Sequence, residues 1–309
     1  MRLKGGEIDG GVLTQNLNTN ASCEIPQVSV SPQEPKNSAE KAEHQNTNMG
    51  PGSDGETKTR TNLRIKPSVY YRIEIVVKIK SNETMCVVTK NRYWVLRHGK
   101  SIPNERGLIV SSMENGIRPE FQLATDGVSQ AQLAAKLFHK ELEANDVPLA
   151  NVRICYSPFS RTTHTAKIVA TVLNLPFEGP QCKVIEDLRE RFFGPSFELL
   201  SHDKYEQIWE LDEKDPLVGP EGGESVKDVA CRLARAMAVM ESEFEGCAVL
   251  VVSHGDTLQI LQTILHAANQ HKEPAYDDLA SILNAVQVAP VLSQHRKYAL
   301  LTGELRGVL

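Results

Sequence analysis

The chain has 309 residues, a formal net charge of −5 and 40% apolar residues, which suits one large domain or two small ones with a substantial core. A net acidic chain argues against a duplex-binding protein, which usually carries a basic face. No apolar run approaches the roughly 18 residues of a membrane span. We therefore expect neither nucleic acid nor a membrane as a partner.

The six cysteines are scattered and show no CxxC or Cys/His metal spacing, which predicts reduced thiols in a reducing compartment. The N-terminus has no apolar signal-peptide stretch, and its acidic residues are atypical of a transit peptide. The cytoplasm is the expected location, and the sequence leaves open both organelle targeting by the N-terminal tail and the oligomeric state.

The first 91 residues divide into two predicted segments. Residues 1–66 contain few large apolar side chains, so burial cannot offset their ordering entropy, and we predict a disordered tail. In the following stretch, VYYRIEIVVKIK, apolar and polar residues alternate with the period of a strand. Residues 67–91 therefore predict an extra β-hairpin, and residues 92–309 a separate domain.

From Arg92 onward, strand patterns alternate with helix patterns. The predicted strands are Tyr93–Leu96, Val152–Tyr156, Lys183–Ile185, Ala248–Val252 and Tyr298–Leu301, and the predicted helices span Val128–Asn145, Arg161–Leu173, Glu224–Phe244 and Thr257–Ala267. This alternation predicts an α/β fold, a three-layer sandwich with a mostly parallel central sheet and helices on both faces.

Three predicted strands end at residues that suit anion chemistry. The first runs into Arg97-His98-Gly99, the second into the loop that holds Arg161, and the third into His254. Ligands of open α/β sheets lie beyond the carboxyl ends of the strands. Two imidazoles and two guanidinium groups gathered there would be costly to bury without an anion, and a phosphoryl group supplies one that arginine matches with two parallel hydrogen bonds.

These residues belong to an ordered set of motifs. Arg97-His98-Gly99 with Ser101 and Asn104 resembles the RHGxSxxN signature of the histidine phosphatase superfamily, the phosphoglycerate mutase-like proteins. The segments LATDGVSQA, SPFSRTTHTA, LRERFFG and SHGD resemble four further family elements in the family's order, with Ala124 where the pattern has Thr. The resemblance spans roughly residues 92–267.

The resemblance implies a role for each matching residue. His98 is the expected nucleophile, forming a phosphohistidine; Arg97, Arg161 and Asn104 are expected to bind the phosphoryl oxygens, together with His254, a second catalytic residue. Glu190 is the expected general acid and base, with Glu186 as a local competitor that fits the spacing worse. The resemblance requires neither a metal nor another cofactor.

The sequence leaves the reaction partly open. The segment from Phe197 to Glu221 is rich in carboxylates and would cover the site, which favours a phosphomonoester hydrolase acting on a small phosphorylated metabolite over a mutase with a bisphosphorylated substrate. A non-catalytic sensor or scaffold for phosphorylated ligands is the alternative of another class. Arg106 and Arg118 are candidates for substrate selection, although solvated loop arginines are the simpler interpretation.

Overall fold

The computed structural model describes residues 89–270 and 278–308. The predicted tail and all but the end of the predicted hairpin lie outside these residues. Within the described part, five strands form one sheet: β1 (Arg92–Arg97), β2 (Val152–Tyr156), β3 (Cys182–Val184), β4 (Ala248–Ser253) and β5 (Leu305–Gly307).

Nine helices accompany the strands in the same described residues: α1 (Ile102–Arg106), α2 (Met113–Gly116), α3 (Thr125–Ala144), α4 (Ser160–Val172), α5 (Tyr205–Lys214), α6 (Val226–Glu243), α7 (Gly255–Gln270), α8 (Leu279–Ala285) and α9 (Ala289–Leu292). Short 3₁₀ turns include Glu186–Leu188 and His295–Tyr298. None of these helices is both long enough and apolar enough to cross a lipid bilayer.

The strand order is β3-β2-β4-β1-β5, and only β5 runs antiparallel to its neighbour. β4 lies between β1 and β2, and every residue of β4 is buried. Such a uniformly apolar central strand is what a sheet covered on both faces requires. The predicted α/β sandwich with a mostly parallel sheet is confirmed.

Side chains that alternate along the strands build two cores. On one face, Tyr93, Val95 and Val251 pack with α6 and α7. On the other face, Leu96 and Leu250 pack with α3 and α4. Both faces of the sheet are therefore packed against helices, so the edge formed by the carboxyl ends of its parallel strands is rigid.

One predicted strand is wrong. Residues 298–301 form no strand, because Tyr298 belongs to a 3₁₀ turn and only Leu300 is buried, while Leu301 is 76% exposed. The edge strand is β5 instead, where Leu305 and Gly307 pair with β1. The backbone carbonyl of Leu300 has a different partner, the guanidinium group of Arg97.

Candidate active site

The carboxyl ends of β1, β2 and β4 meet at one edge of the sheet. The backbone N–H of His98 donates to Ser253 O at 3.0 Å, and the N–H of Ser157 donates to Val252 O at 3.1 Å. These bonds extend the ladders one residue beyond the strands. His98, His254 and the loop before α4 are thereby held side by side, as parallel strands require.

The ring of His98 is buried and has a defined tautomer. Its Nδ1 lies 2.7 Å from Gly99 O, and since a carbonyl can only accept, Nδ1 carries the proton. Nε2 is therefore unprotonated, and its lone pair faces the Nε of Arg161 at 3.2 Å. Burial, and then the cations of Arg161 and Arg97, hold the pKa of His98 well below its usual 6.5, so the ring is neutral.

Two glycines let the His98 loop approach helix α3 closely. A Cβ atom on Gly99 would lie 2.2 Å from Gly127 O, and one on Gly127 would lie 2.0 Å from Lys100 O. Both clashes would be with backbone, which cannot rotate away. The loop that carries His98 thus rests directly on the first turn of α3, and any side chain at either glycine would displace it.

His254 faces His98, with ring centroids 5.2 Å apart. Its Nε2 lies 2.8 Å from the hydroxyl of Ser157, a group that can donate or accept and so supports either neutral tautomer. Burial, and then the cation of Arg161, lowers the pKa of His254 well below 6.5. Ser157 comes from the end of β2 and was not singled out in the sequence.

The guanidinium group of Arg161 lies between the two imidazoles. Its Nε is 3.2 Å from His98 Nε2 and 3.2 Å from His254 Nδ1, and its Nη2 donates to Val110 O at 3.0 Å. Its Nη1 is buried and has no hydrogen-bond partner within the described residues. Burying a cationic donor without an acceptor costs free energy, and a bound anion would supply the missing acceptor.

Arg97 approaches the same site from the end of β1. Its Nη1 donates to Leu300 O at 2.7 Å, whereas its Nε is buried and unpartnered among the described residues. Gly255, at the start of α7, leaves room for the guanidinium group, since a Cβ there would lie 3.3 Å from its Cζ. Two arginines thus each present a buried donor that lacks an acceptor.

Glu190 completes the cluster. Its Oε1 accepts from the N–H of Arg191 at 3.0 Å and from the hydroxyl of Thr257 at 3.3 Å. Its Oε2 lies 3.8 Å from His254 Nδ1 and 3.9 Å from Arg161 Nη2. Burial raises the pKa of Glu190 despite the opposing effect of Arg161, which favours a protonated carboxyl group. The competitor Glu186 is exposed.

The other predicted site residues are placed differently. Asn104 lies in α1, where its Oδ1 accepts from the N–H and the hydroxyl of Ser101 in a capping box. Arg106 is exposed in the last turn of α1. Arg118 is also exposed, and it pairs with Glu120 and lies over the ring of Phe121. No contact in the described residues joins Arg106 or Arg118 to the two imidazoles.

Comparison with known proteins gives one family. Residues 93–284 match the profile of the histidine phosphatase superfamily (branch 1). The chain belongs to this superfamily. A search of curated protein sequences finds no match.

Solved structures agree with this histidine phosphatase at the level of the fold. A protein described as mycobacterial hydrolase 1 is 22% identical, with a TM-score of 0.50, over 69% of this chain and 86% of that one. A mycobacterial glucosyl-3-phosphoglycerate phosphatase in complex with VO3 has the same identity and TM-score, over 69% of this chain and 88% of that one.

The segment from Phe197 to Glu221 has fewer free carboxylates than its sequence suggests. The Glu198 carboxylate accepts from Ser111, Ser112 and Asn115, so it serves to fix a loop. Asp212 is 1% exposed and binds Arg191 through two N–O contacts of 2.7 Å. The segment therefore presents less negative charge to a substrate than its eight acidic residues suggest.

Helix α5 lies in this segment, where the sequence pattern predicted no helix. Burial, and then the negative charge of Glu190, raises the pKa of Tyr205 in its first turn. Ile208 of the same helix packs in one cluster with Ile109 and Phe193, and Val110, next to Ile109, accepts from Arg161. We name α5 the lid helix.

No group of three or more His, Cys, Asp or Glu side chains in the described parts of the chain is placed to hold a metal ion.

Proposed function

We propose that this histidine phosphatase is a phosphomonoester hydrolase that acts through a phosphohistidine on a small phosphorylated metabolite. One observation carries the proposal: a neutral imidazole with an unprotonated Nε2 lies against two arginines that each have a buried donor without an acceptor. Phosphoryl oxygens would satisfy those donors, and Nε2 would then face the phosphorus atom.

In the first step, the lone pair of His98 Nε2 forms a bond to phosphorus while the bond from phosphorus to the ester oxygen breaks. Arg161 and Arg97 stabilise the charge on the equatorial oxygens, and the Ser157 hydroxyl allows His254 to adopt the tautomer that donates from Nδ1. Glu190 gives its proton to the departing alkoxide, which leaves as an alcohol.

In the second step, the Glu190 carboxylate takes a proton from a water molecule. The water oxygen forms the new bond to phosphorus, the bond from phosphorus to His98 Nε2 breaks, and inorganic phosphate leaves. Glu190 is again protonated and His98 again neutral. Splitting one displacement into two in this way is the advantage of a covalent intermediate.

The pairing of Arg191 with Asp212 favours hydrolysis over mutase chemistry. This cation follows Glu190 directly, but both of its Nη atoms contact Asp212. It therefore does not offer a second anion site to a bisphosphorylated substrate. The proposed catalytic domain spans residues 92–309, as predicted from the sequence, and the cytoplasm is its proposed location.

The test uses the full chain with para-nitrophenyl phosphate and a panel of phosphorylated metabolites that includes phosphoglycerates and their sugar esters. We expect turnover at mildly acidic pH, which chelation of metals by EDTA does not abolish and which His98→Ala does abolish. The control is His139→Gln, which changes a partly exposed histidine on α3 and should leave turnover unchanged.

Other outcomes would contradict the proposal. Phosphoryl exchange between positions of a phosphoglycerate, stimulated by a bisphosphate, would show a mutase. Tight binding of phosphorylated ligands without turnover on any substrate would show a sensor. Equal turnover by His98→Ala would exclude His98 as the nucleophile.

A further inference from the structure

A second cluster of buried charges lies directly behind Glu190. Arg191 Nη1 contacts Asp212 at 2.7 Å and Asp256 at 3.2 Å. His295 Nε2 lies 3.7 Å from Asp212 and 3.5 Å from Asp256. Arg191, Asp212 and His295 are each no more than 1% exposed. We name these four residues the rear cluster.

Charge balance in the rear cluster depends on His295. Two carboxylates face one guanidinium group, which leaves one negative charge in a buried site unless another cation is present. The Nδ1 of His295 lies 3.0 Å from Leu292 O, so it carries a proton. Nε2 has no hydrogen-bond partner within the described residues, but it lies within ion-pair distance of both carboxylates, and if it also carries a proton the cluster is neutral.

The electrostatics favour this imidazolium form. Burial by itself lowers the pKa of His295, but the adjacent Asp256 and Asp212 carboxylates outweigh burial and raise the pKa above 6.5. The charged groups that face the ring within the described residues are Asp212 from the lid helix, Asp256 from α7, and Arg191 across the two carboxylates. His295 therefore loses its charge at a higher pH than an ordinary histidine does.

The rear cluster joins four separate parts of the molecule. Arg191 follows Glu190, Asp256 is two residues after His254, and Asp212 belongs to the lid helix. His295 lies beyond residue 284, where the match to the family profile ends. The same C-terminal segment supplies Leu300 O to Arg97 at 2.7 Å, so it braces the candidate site at two points.

We propose that His295 is a positioning residue, whose imidazolium holds the lid helix against the active site by bridging Asp212 and Asp256. The inference rests on the proposed phosphatase function. When His295 loses its proton, the cluster keeps a net negative charge and the attraction between His295 and Asp212 is lost. Arg191 still holds Asp212, so the lid helix loosens without detaching. Substrate binding therefore weakens, while the reacting groups remain in place.

The test compares the wild type with His295→Gln, and His139→Gln is the control at a partly exposed histidine. We expect His295→Gln to raise KM by between about twofold and thirtyfold, the range for changes within a coupling network, with kcat changed little. Wild-type KM should rise as the pH passes upward through the pKa of His295, and that rise should be missing in His295→Gln. Equal KM values and pH profiles would overturn the inference.

A second readout does not depend on turnover. Amide hydrogen exchange of residues 205–214 should be faster in His295→Gln and unchanged in His139→Gln. In the wild type alone, protection of these amides relative to α3 should fall as the pH rises above 6.5 through the raised pKa of His295. This measurement covers the case in which the variant does not fold. Constant protection would refute the inference.

The two readouts also separate the two proposals. Faster exchange in a protein that hydrolyses no phosphoester would leave the role of His295 standing and remove the phosphatase proposal. If the protein hydrolyses phosphoesters but His295→Gln changes neither KM nor hydrogen exchange, the phosphatase proposal stands and the proposed role of His295 is refuted.

Discussion

Glu190→Gln separates proton transfer from the rest of the chemistry. Glutamine keeps the Oε1 acceptor for the Arg191 N–H at 3.0 Å and for Thr257 at 3.3 Å, so the side chain should stay in place. It replaces Oε2, the oxygen that lies 3.8 Å from His254 Nδ1, by an amide that cannot supply a proton. The variant therefore removes the acid and base without emptying the site.

The expected loss depends on the leaving group. A positioned acid contributes about 10²–10⁴ in rate, which equals about 2.7–5.4 kcal/mol of transition-state stabilisation. Alkyl phosphates should lose this full factor in kcat/KM, because an alkoxide needs a proton to leave. Para-nitrophenolate leaves without one, so the phosphohistidine should still form from para-nitrophenyl phosphate, and its slow hydrolysis should then produce a burst of para-nitrophenol.

The assay is stopped-flow measurement of para-nitrophenol release beside steady-state release of phosphate from an alkyl ester. Glu186→Gln is the matched control, because this carboxylate is exposed four residues earlier. It should behave as the wild type in both assays. Equal losses on both substrates, or a larger effect of Glu186→Gln, would refute the role of Glu190.

Three further predictions concern pH, charge and packing. Turnover of alkyl phosphates needs protonated Glu190, so kcat/KM should fall as the pH rises through its raised pKa, and no acidic limb should occur near 6.5 because His98 is already neutral there; a rate that rises through 6.5 would contradict this. Arg161→Met should lower kcat by about 10²–10³, as loss of a preorganised donor to a developing charge does, and an unchanged kcat would remove Arg161 from the mechanism. Gly127→Ala should lower the free energy of unfolding by about 1–3 kcal/mol in urea titrations, because its Cβ has no room, whereas Gly307→Ala, whose Cβ would be 3.5 Å from the nearest atom, should cost far less.

The sequence predicted the parts of the fold whose side chains repeat with a clear period. The runs at 93–96 and 248–252 are continuous and apolar, and both are central strands flanked on each face by a core. In the structure, the residues that follow these two strands lie at one edge of the sheet. Their geometry follows from parallel pairing, which is why the sequence alone predicts that His98, His254 and Arg161 lie together.

Other elements carry too little periodic signal to be predicted. The lid helix buries only Ile208 and Asp212, so its sequence resembles an acidic loop. The run at 298–301 resembles a strand, but Arg97 takes the Leu300 carbonyl and Leu301 is exposed. The rear cluster joins residues from four distant segments, and a lone histidine such as His295 gives no sign in the sequence of the two carboxylates that it will face.

Direct trapping of the intermediate tests the central claim. The full chain is mixed with para-nitrophenyl phosphate, quenched in alkali, which preserves phosphohistidine, and analysed by mass spectrometry of its peptides. We predict one phosphoryl group on His98, accumulating in Glu190→Gln and absent from His98→Ala. Turnover without any phosphorylated peptide, or a phosphoryl group on another residue, would contradict a mechanism in which His98 is the nucleophile.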